Sequence, residues 1–235
     1  MEKRKTIWLT GASSGIGLET AKLLSQLDVN LVLSSRRVDV IEQQFNHSTQ
    51  ADIFIKHLDL SSQDSIYNCY NQIAEEIGSV DVLINNAGTF TAKSFVGTTI
   101  EQYDAMMNVN LRGVFLITQR VLPNMIASRK GIIINIESAT AIKTFPYCSI
   151  YSASKAGMLA MMRSLRAEVK KYGIKIIDIL PGAAATNIWG ANSKEPKELM
   201  SQPEEIAGII AEAVNLCRYP SSMIEEIVVN PQYYD

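Results

Sequence analysis

Short apolar runs alternate along the chain with longer segments in which apolar residues recur at helical spacing. Several of the runs are apolar at nearly every position, which is typical of parallel strands that are covered on both faces. The predicted strands are 6–9, 31–34, 53–58, 80–84, 132–136, 174–180 and 227–229. The predicted helices are 15–27, 38–45, 63–77, 101–127, 151–172 and 203–217. This alternation indicates an α/β fold built on a doubly wound sheet with right-handed crossovers.

The starts of three predicted helices are marked by residues that suit a helix N-terminus. Ser62 and Thr99 each precede a helical segment, and Pro203 opens one whose first turn is acidic. Such residues satisfy or complement the free N–H groups of the first turn. The least patterned stretch is 183–196, so the segment 183–200 is predicted to be a mobile substrate loop.

Length and composition suit one globular domain, 1–235, because 235 residues with 47% hydrophobic content can bury a sizeable core. The formal net charge of −2 argues against a nucleic-acid or membrane-surface partner. The apolar run near the N-terminus is too short for a signal peptide, and no run approaches membrane-spanning length. Cys69, Cys148 and Cys217 share no metal-binding or redox spacing, so we expect a reducing, cytoplasmic location and no metal.

Gly11, Gly15 and Gly17 lie between the first predicted strand and an amphipathic helix. At such a turn the N–H groups of the helix N-terminus can face a pyrophosphate, and a side chain at the closest positions would obstruct it. The spacing departs from the commoner G-x-G-x-x-G pattern, so an ordinary glycine-rich turn is the alternative. The candidate cofactor-binding residues of this turn are Gly11, Ser13, Ser14, Gly15, Ile16 and Gly17.

The second predicted strand ends in Ser34-Ser35-Arg36-Arg37, where dinucleotide-binding proteins usually place an acidic residue on the adenosine ribose. No carboxylate is present there to repel a 2′-phosphate, and a guanidinium can bind one through two hydrogen bonds. We therefore expect NADP(H) to be favoured over NAD(H), with Arg36 as the contact. The alternative is that both arginines are a solvated helix start, and it applies most of all to Arg37.

Further motifs follow in order along almost the whole chain. They are Asp59 in Leu58-Asp59-Leu60, Asn85-Asn86-Ala87-Gly88, Asn110, Ser138, Tyr151-x-x-x-Lys155, and Pro181-Gly182 with Thr186. Each motif is weak by itself, but together their order and spacing leave little room for chance. With these motifs the chain resembles the short-chain dehydrogenase/reductase family. The resemblance implies a single-domain Rossmann-type fold of about seven parallel strands, in the order 3-2-1-4-5-6-7, with helices on both faces.

The resemblance also assigns cofactor contacts to several of these residues. Asp59 would accept a hydrogen bond from the adenine amino group, beside the backbone of Leu60. The resemblance further implies a wall near the adenosine ribose, formed by Asn86, Ala87 and Gly88. It also implies a turn at Pro181 and Gly182, after which the Thr186 hydroxyl holds the nicotinamide carboxamide. For Asn85 two roles stay open, a tie between neighbouring strands and a ligand contact.

Tyr151 is the candidate acid/base, because reduction of a carbonyl needs a hydride on carbon and a proton on oxygen. One helical turn separates Tyr151 from Lys155, so both lie on one face of the predicted helix. An ammonium about 4 Å from a phenolate is worth on the order of 4 kcal/mol at an effective dielectric of about 20. That corresponds to about three pKa units as an upper bound, so we expect the pKa of Tyr151 to lie near neutrality.

The resemblance supplies the roles of the other catalytic candidates, Asn110 and Ser138. Ser138 would hydrogen-bond the substrate oxygen, and Lys155 would also bind the nicotinamide ribose. Asn110 would anchor a water that relays protons between Lys155 and solvent; the alternative is a buried residue that satisfies local backbone groups. Glu137 stands where the family often has a second serine. Because neighbouring side chains on a strand point to opposite faces, Glu137 need not enter the pocket.

The substrate site is expected between Ser138 and Tyr151, together with the predicted mobile loop, and both residues would contact the substrate. Tyr147 and Trp189 are the aromatic candidates for further substrate contacts, beside Phe145. Plain packing is the alternative for each of the three aromatic residues.

The preferred function is an NADP(H)-dependent reductase that converts a small-molecule carbonyl compound into a secondary or primary alcohol, and that also runs in reverse. The alternatives are an NAD(H)-dependent alcohol dehydrogenase of the same fold and a non-catalytic dinucleotide sensor; the intact catalytic set argues against the sensor. The helices at 101–127 and 151–172 are apolar over wider faces than one core contact needs. The resemblance implies that these helices pair across a two-fold axis, so we expect a homodimer or a homotetramer.

Overall fold

Seven parallel strands form one sheet in the computed structural model, which describes residues 4–46, 49–189, 196–219 and 221–233. In chain order they are β1 (Lys5–Thr10), β2 (Val29–Ser35), β3 (Asp52–His57), β4 (Val82–Asn85), β5 (Gly131–Ile136), β6 (Ile174–Pro181) and β7 (Glu226–Val229). Across the sheet the order is β3-β2-β1-β4-β5-β6-β7, and every neighbouring pair is parallel. The predicted fold class and strand order are therefore confirmed.

Helices cover both faces of this sheet. In chain order they are α1 (Gly15–Leu24), α2 (Val38–Gln44), α3 (Gln63–Glu76), α4 (Ile100–Met107), α5 (Val114–Ser128), α6 (Ser149–Val169) and α7 (Pro203–Leu216). Within β1, Ile7 and Leu9 belong to the apolar layer of α1, α2 and α7, whereas Trp8 belongs to that of α3, α5 and α6. All three side chains are fully buried. The strand is apolar throughout because its alternate side chains enter two different apolar layers.

The helix predicted at 101–127 is interrupted. A π-helical turn, Asn108–Gly113, separates α4 from α5. At the end of this turn the helix comes close to the chain after β3, where a Cβ added to Gly113 would lie 2.6 Å from the Leu60 carbonyl oxygen. Apolar spacing does not reveal one wide turn inside a helical segment, so the sequence pattern predicted a single element.

The helix starts that the sequence marks are confirmed. The Ser62 hydroxyl accepts a hydrogen bond from the Ser65 backbone N–H at the start of α3 (3.2 Å). Thr99 forms a capping box with Gln102 at the start of α4. Pro203 is the first residue of α7, where its missing N–H costs no intrahelical hydrogen bond.

The segment 183–200 is tied to the chain that follows it, and its residues 190–195 lie outside the described residues. The Ala185 N–H donates to the Ser201 carbonyl (3.0 Å), and the Ser201 N–H donates to the Ala183 carbonyl (3.1 Å). The segment also contains two short 3-10 turns that the sequence pattern did not predict, Asn187–Trp189 and Lys197–Leu199. The mobility of the loop stays a prediction.

The described part of the chain contains no helix that is both long and apolar enough to cross a membrane. Its three cysteines are free. Within the same ranges, no group of three or more His, Cys, Asp and Glu residues could hold a metal ion.

Candidate active site

A cavity of about 1050 Å³ opens at the carboxyl ends of the central strands. Ligands bind at this edge of open parallel sheets, where the strand order reverses between β1 and β4. Every site residue predicted from the sequence lies on the cavity lining except Asn110, which is fully buried. Those on the lining are Gly11, Ser13, Ser14, Gly15, Ile16, Gly17, Arg36, Asp59, Leu60, Asn86, Ala87, Gly88, Ser138, Tyr147, Tyr151, Lys155, Pro181, Gly182, Thr186 and Trp189.

The turn after β1 needs its glycines. Gly11 has a φ of +72° and Gly15 a φ of +55°, in the left-handed region that favours glycine. A Cβ added to Gly17 would lie 2.2 Å from the Gly11 carbonyl oxygen. Within the described chain, the Ser14 side chain makes no capping hydrogen bond to α1. The first N–H groups of α1 therefore remain available to an anion in the cavity.

Two arginines lie exposed on the lining beside this turn. The Arg37 guanidinium donates to the hydroxyls of Ser13 (3.2 Å) and Ser14 (3.0 Å). Its side chain thus engages the glycine turn, which the sequence did not reveal because Arg37 also fitted a solvated helix start. The pair of arginines at the end of a strand is the only sequence signal that could have found this contact.

Asp59 lies at the edge of the cavity with an ionised carboxyl. Ser61 donates two hydrogen bonds to it, from its backbone N–H (2.9 Å) and from its hydroxyl (2.7 Å). Burial raises the pKa of the Asp59 carboxyl, but the Ser61 hydrogen bonds and the charges of Arg36 and His57 outweigh burial and hold it below its ordinary value. An ionised carboxylate of this kind can accept a hydrogen bond from an amino group.

Side-chain hydrogen bonds tie the end of β4 to the glycine turn. The Thr10 hydroxyl accepts from the backbone N–H groups of Asn86 (3.0 Å) and Ala87 (3.1 Å), and the Asn86 amide donates to the Thr10 carbonyl (2.9 Å). This packing shapes the wall on which Asn86 and Ala87 lie. Asn85 is buried instead and donates to Asn135 on β5 (2.9 Å). Asn85 therefore connects neighbouring strands, which is one of the two roles that the sequence left open.

Ser138 and Tyr151 meet on the cavity lining. Ser138 follows β5, and its hydroxyl accepts from the Thr140 N–H (3.2 Å). Burial raises the pKa of Tyr151 to about 12; a hydrogen bond with Ser138 lowers this pKa, and the charge of Glu137 raises it. The expected pKa near neutrality is therefore wrong, because burial and the carboxylate of Glu137 oppose the phenolate. At neutral pH Tyr151 is a protonated donor.

Lys155 lies one turn further along α6 and is only 4% exposed. Its Nζ donates to the Ile136 carbonyl oxygen at the end of β5 (2.7 Å). This contact takes one of the three N–H donors of the ammonium and fixes its place at the cavity wall. Burial lowers the pKa of Lys155, and the charge of Glu137 acts in the opposite direction.

Asn110 lies within the π-helical turn. Its side chain accepts from the Thr89 N–H (2.8 Å) and donates to the Thr89 carbonyl (2.9 Å) and to the Ser154 hydroxyl (3.1 Å). Ser154 in turn donates to the Tyr151 carbonyl (2.7 Å). The Asn110 side chain thus satisfies local polar groups and links the chain after β4 to the helix that carries Tyr151 and Lys155. The water relay stays a prediction.

Glu137 bears on the site more directly than the strand pattern suggested. β5 ends at Ile136, so the alternation of a strand does not extend to Glu137 and Ser138, and both lie on the lining. Glu137 is 3% exposed, and neither carboxylate oxygen has a hydrogen-bond partner among the described residues. Burial raises the pKa of Glu137 to about 8; the charge of Lys155 lowers this pKa and that of Asp178 raises it.

An aromatic residue that the sequence did not single out lies beside Tyr151. Phe90 packs edge-on against Tyr151 and Trp189, with ring centroids 4.8 Å and 5.4 Å away. The Trp189 indole N–H donates to the Ala184 carbonyl (2.7 Å). Tyr147 also lies on the lining, with 65% of its surface exposed and a φ of +63°. Phe90 is a single aromatic residue shortly after Gly88, and nothing in the sequence around it indicates whether it contacts substrate or only packs in the core.

The sequence matches the model of the short chain dehydrogenase family over residues 5–197. An uncharacterised oxidoreductase of Staphylococcus saprophyticus is 29% identical over an alignment of 237 positions, which covers 97% of this chain and 97% of the relative. Human dehydrogenase/reductase SDR family member 7 is 35% identical over an alignment of 189 positions, which covers 77% of this chain and 56% of the relative.

Solved structures of similar proteins superpose over nearly the whole chain. An alcohol dehydrogenase from the archaeon Thermococcus sibiricus, complexed with 5-hydroxy-NADP, has a TM-score of 0.89 at 27% identity, with 98% of each chain covered. A metagenomic short-chain oxidoreductase in complex with NADP has a TM-score of 0.81 at 27% identity, also with 98% of each chain covered.

Proposed function

Because the chain belongs to the short-chain dehydrogenase/reductase family and is an oxidoreductase, we propose that it is an NADP(H)-dependent reductase of small-molecule carbonyl compounds. The product is a secondary or primary alcohol, and the reaction also runs in reverse. The observation that carries this proposal is one cavity lined by Ser138, Tyr151 and Lys155 and also by the glycine turn. That cavity joins an anion-binding end to a proton-donating end, and reduction by a nicotinamide dinucleotide needs both.

The residues around the glycine turn fit a dinucleotide. The N-terminus of α1 presents backbone N–H groups, and the glycine turn that precedes it lies on the cavity lining, where a pyrophosphate can approach them. Asp59 suits the adenine amino group, and Lys155 suits the hydroxyls of the nicotinamide ribose. When bound, NADPH supplies the hydride of the reduction.

The preference for NADP(H) rests on Arg36 and Arg37. No carboxylate stands at the end of β2, and two guanidinium groups on the lining suit a 2′-phosphate. The Thermococcus alcohol dehydrogenase and the metagenomic oxidoreductase are complexed with 5-hydroxy-NADP and NADP, which supports the same preference.

Tyr151 transfers the proton in this proposal. Ser138 holds the carbonyl oxygen of the substrate, and the Tyr151 hydroxyl donates its proton to that oxygen as the carbon is reduced. A phenol whose pKa is about 12 is protonated at neutral pH, which suits the reducing direction. Phe90 and Trp189 form an apolar wall next to the phenol and suit an apolar group beside the carbonyl.

The test is consumption of NADPH, with NADH alongside, across a panel of aldehydes, ketones, diketones and quinones. We expect turnover with NADPH, and a fall in kcat of about 10²–10⁴-fold in Tyr151→Phe with NADPH binding retained, because the proton donor alone is lost. The control is Tyr103→Phe, on α4 and outside the lining. Undiminished turnover in Tyr151→Phe would contradict the mechanism. Tight NADPH binding without turnover of any compound would favour the dinucleotide sensor.

The proposal for assembly is a homodimer or homotetramer whose subunits pack through a groove between α5 and α6. Phe115 is 45% exposed in this groove. The groove is lined by Met107, Asn108, Leu111, Arg112, Phe115, Gly157 and Met161. An exposed, mainly apolar surface of this kind supports an interface, and a second copy would bring the same helices to it.

A further inference from the structure

Glu137 is the only carboxylate in the described ranges whose two oxygens are buried without a hydrogen bond. An isolated ionised carboxylate is strongly disfavoured away from water, so this group must hold a proton or lie against a cation. The proposed roles of the neighbouring residues do not explain how this carboxylate is stabilised. Ser138 and Tyr151 use their hydroxyls, and neither forms a hydrogen bond with the carboxylate.

Two of the cations near this carboxylate already have acidic partners. Arg163 donates two hydrogen bonds to Glu226 on β7, at 2.7 Å and 2.9 Å. Arg166 forms a buried ion pair with Asp178 on β6. The charges of Asp178 and Glu226 raise the pKa of Glu137 rather than lower it. The neighbouring strands therefore oppose ionisation of Glu137.

Lys155 is the cation that remains. Its Nζ donates to the carbonyl of the peptide bond between Ile136 and Glu137, so the ammonium lies beside the backbone of Glu137. Glu137 and Lys155 are 3% and 4% exposed. The positive charge of Lys155 lowers the pKa of Glu137, and the negative charge of Glu137 raises the pKa of Lys155. Each group is thus the main opposite charge for the other.

We propose that Glu137 and Lys155 form a buried pair that titrates as a unit through one dissociable proton, the shared proton, and that loss of this proton sets a carboxylate charge against the Tyr151 phenolate. With the proton, the pair carries one positive charge; once the proton has passed to solvent, the pair is neutral. Glu137 therefore acts on Tyr151 through its own charge, and the ionised carboxylate also offsets the positive charge of Lys155. The catalytic part of this inference rests on the proposed function, whereas the shared proton does not.

The consequence is a different pH dependence for the two directions of the reaction. Burial raises the pKa of Glu137 to about 8, so the pair loses its proton in the alkaline range. Above that range the carboxylate cancels the field of Lys155, and the phenolate that alcohol oxidation needs as a base is disfavoured. The neutral phenol that donates in carbonyl reduction is preserved. The pair thus shifts the rising limb of alcohol oxidation to higher pH, and the equilibrium of the reaction is unchanged.

The shared proton is tested first without cofactor or substrate, by urea unfolding of the wild type and Glu137→Gln between about pH 5 and pH 8. The folded wild type keeps on Glu137 a proton that the unfolded chain releases, so this stabilising contribution is lost as pH rises toward the folded-state pKa. We expect the unfolding constant of the wild type, relative to the variant, to rise by up to about tenfold per pH unit.

Glu212→Gln is the control for this measurement, because it removes an exposed carboxylate on α7 outside the cavity lining; we expect it to unfold as the wild type does at each pH. A pH-independent ratio for Glu137→Gln would overturn the shared proton. Glu137→Ser is a second neutral variant with a smaller side chain. If neither neutral variant folds, the site does not accept a neutral group and the proposal is likewise overturned.

The link to Tyr151 is tested by the pH profile of kcat/KM for NADP⁺-dependent oxidation of an alcohol product from the panel. We expect the rising limb in Glu137→Gln to lie about one pH unit below that of the wild type, because the variant keeps the positive charge of Lys155 unopposed. Superimposable profiles would overturn the link even if the unfolding data show the shared proton. If no compound is turned over, the proposed function is overturned. The unfolding data still show whether Glu137 and Lys155 titrate as a pair, because that measurement needs no substrate.

Discussion

Arg36 and Arg37 stand at the same end of β2 but have different surroundings. Arg37 is held by the two serine hydroxyls of the glycine turn. Arg36 acts on the Asp59 carboxyl through its charge. A guanidinium that is already oriented loses less conformational freedom when it binds a phosphate. At the residue scale, Arg37 is thus better prepared for a 2′-phosphate than the arginine that the sequence favoured.

Replacing Arg37 by alanine is expected to weaken NADPH binding and to leave NADH binding unchanged. A hydrogen bond to a charged group contributes about 1.5–3 kcal/mol, so the dissociation constant of NADPH should rise by about ten- to hundredfold. Fluorescence titration of both cofactors measures this, with Arg36→Ala in parallel. Lys22→Ala is the control, because Lys22 pairs with Glu19 on α1 outside the cavity. Equal weakening of both cofactors would contradict the phosphate role.

The sequence predicted the candidate site where a residue type itself implies chemistry, as with Tyr151 and Lys155 at one-turn spacing. It did not predict contacts that depend on how separate loops come together, such as the packing of Phe90 on Tyr151. The pKa predicted for Tyr151 was wrong for a related reason. One-turn spacing reveals that Lys155 is near, but it reveals neither the burial of the phenol nor the charge of Glu137.

At the scale of the elements, strands were easier to predict than the details of helices. β1 is apolar at successive positions because both faces of the sheet are covered, and that pattern is visible in one sequence. The π-helical turn Asn108–Gly113 alters the hydrogen bonding of a helix without altering its apolar spacing, so it was not predictable. This turn nonetheless matters for the site, since it places Asn110 against Thr89 and Ser154.

The junction of β1 and α1 gives a test at this scale. Gly17→Ala is expected to destabilise the protein by about 1–3 kcal/mol, because its Cβ would lie 2.2 Å from a backbone oxygen that cannot easily move. We also expect NADPH binding to be lost, since relief of the clash displaces the turn that faces the pyrophosphate.

Gly208→Ala is the matched control for that variant. Gly208 lies inside α7, and nothing lies within 4 Å of a Cβ added to it. Alanine there should stabilise the protein by about 0.5–1 kcal/mol, because glycine is a poor helix former. Urea unfolding measures both variants. A neutral or stabilising Gly17→Ala would contradict the close packing of the turn.

At the scale of the whole molecule, one helix, α6, lines both the candidate active site and the proposed interface. α6 carries Tyr151 and Lys155 to the cavity, and on another face it carries Gly157 and Met161 to the groove. The π-helical turn is shared in the same way, with Asn110 buried and Leu111 in the groove. Subunit association would therefore contact the same helix that carries Tyr151 and Lys155.

Phe115→Glu is expected to convert the oligomer into monomers, because it replaces an exposed aromatic ring of the groove by a charge that would lose its water when two subunits pack together. Sedimentation velocity at micromolar concentration measures the change. Leu23→Glu is the control: Leu23 is 43% exposed on α1, about as much as Phe115 at 45%, and lies outside the groove. Since α6 borders both the groove and the cavity, the monomer should also show lower turnover with NADPH affinity largely kept. A monomeric wild type, or an oligomer that withstands Phe115→Glu, would contradict the proposed interface.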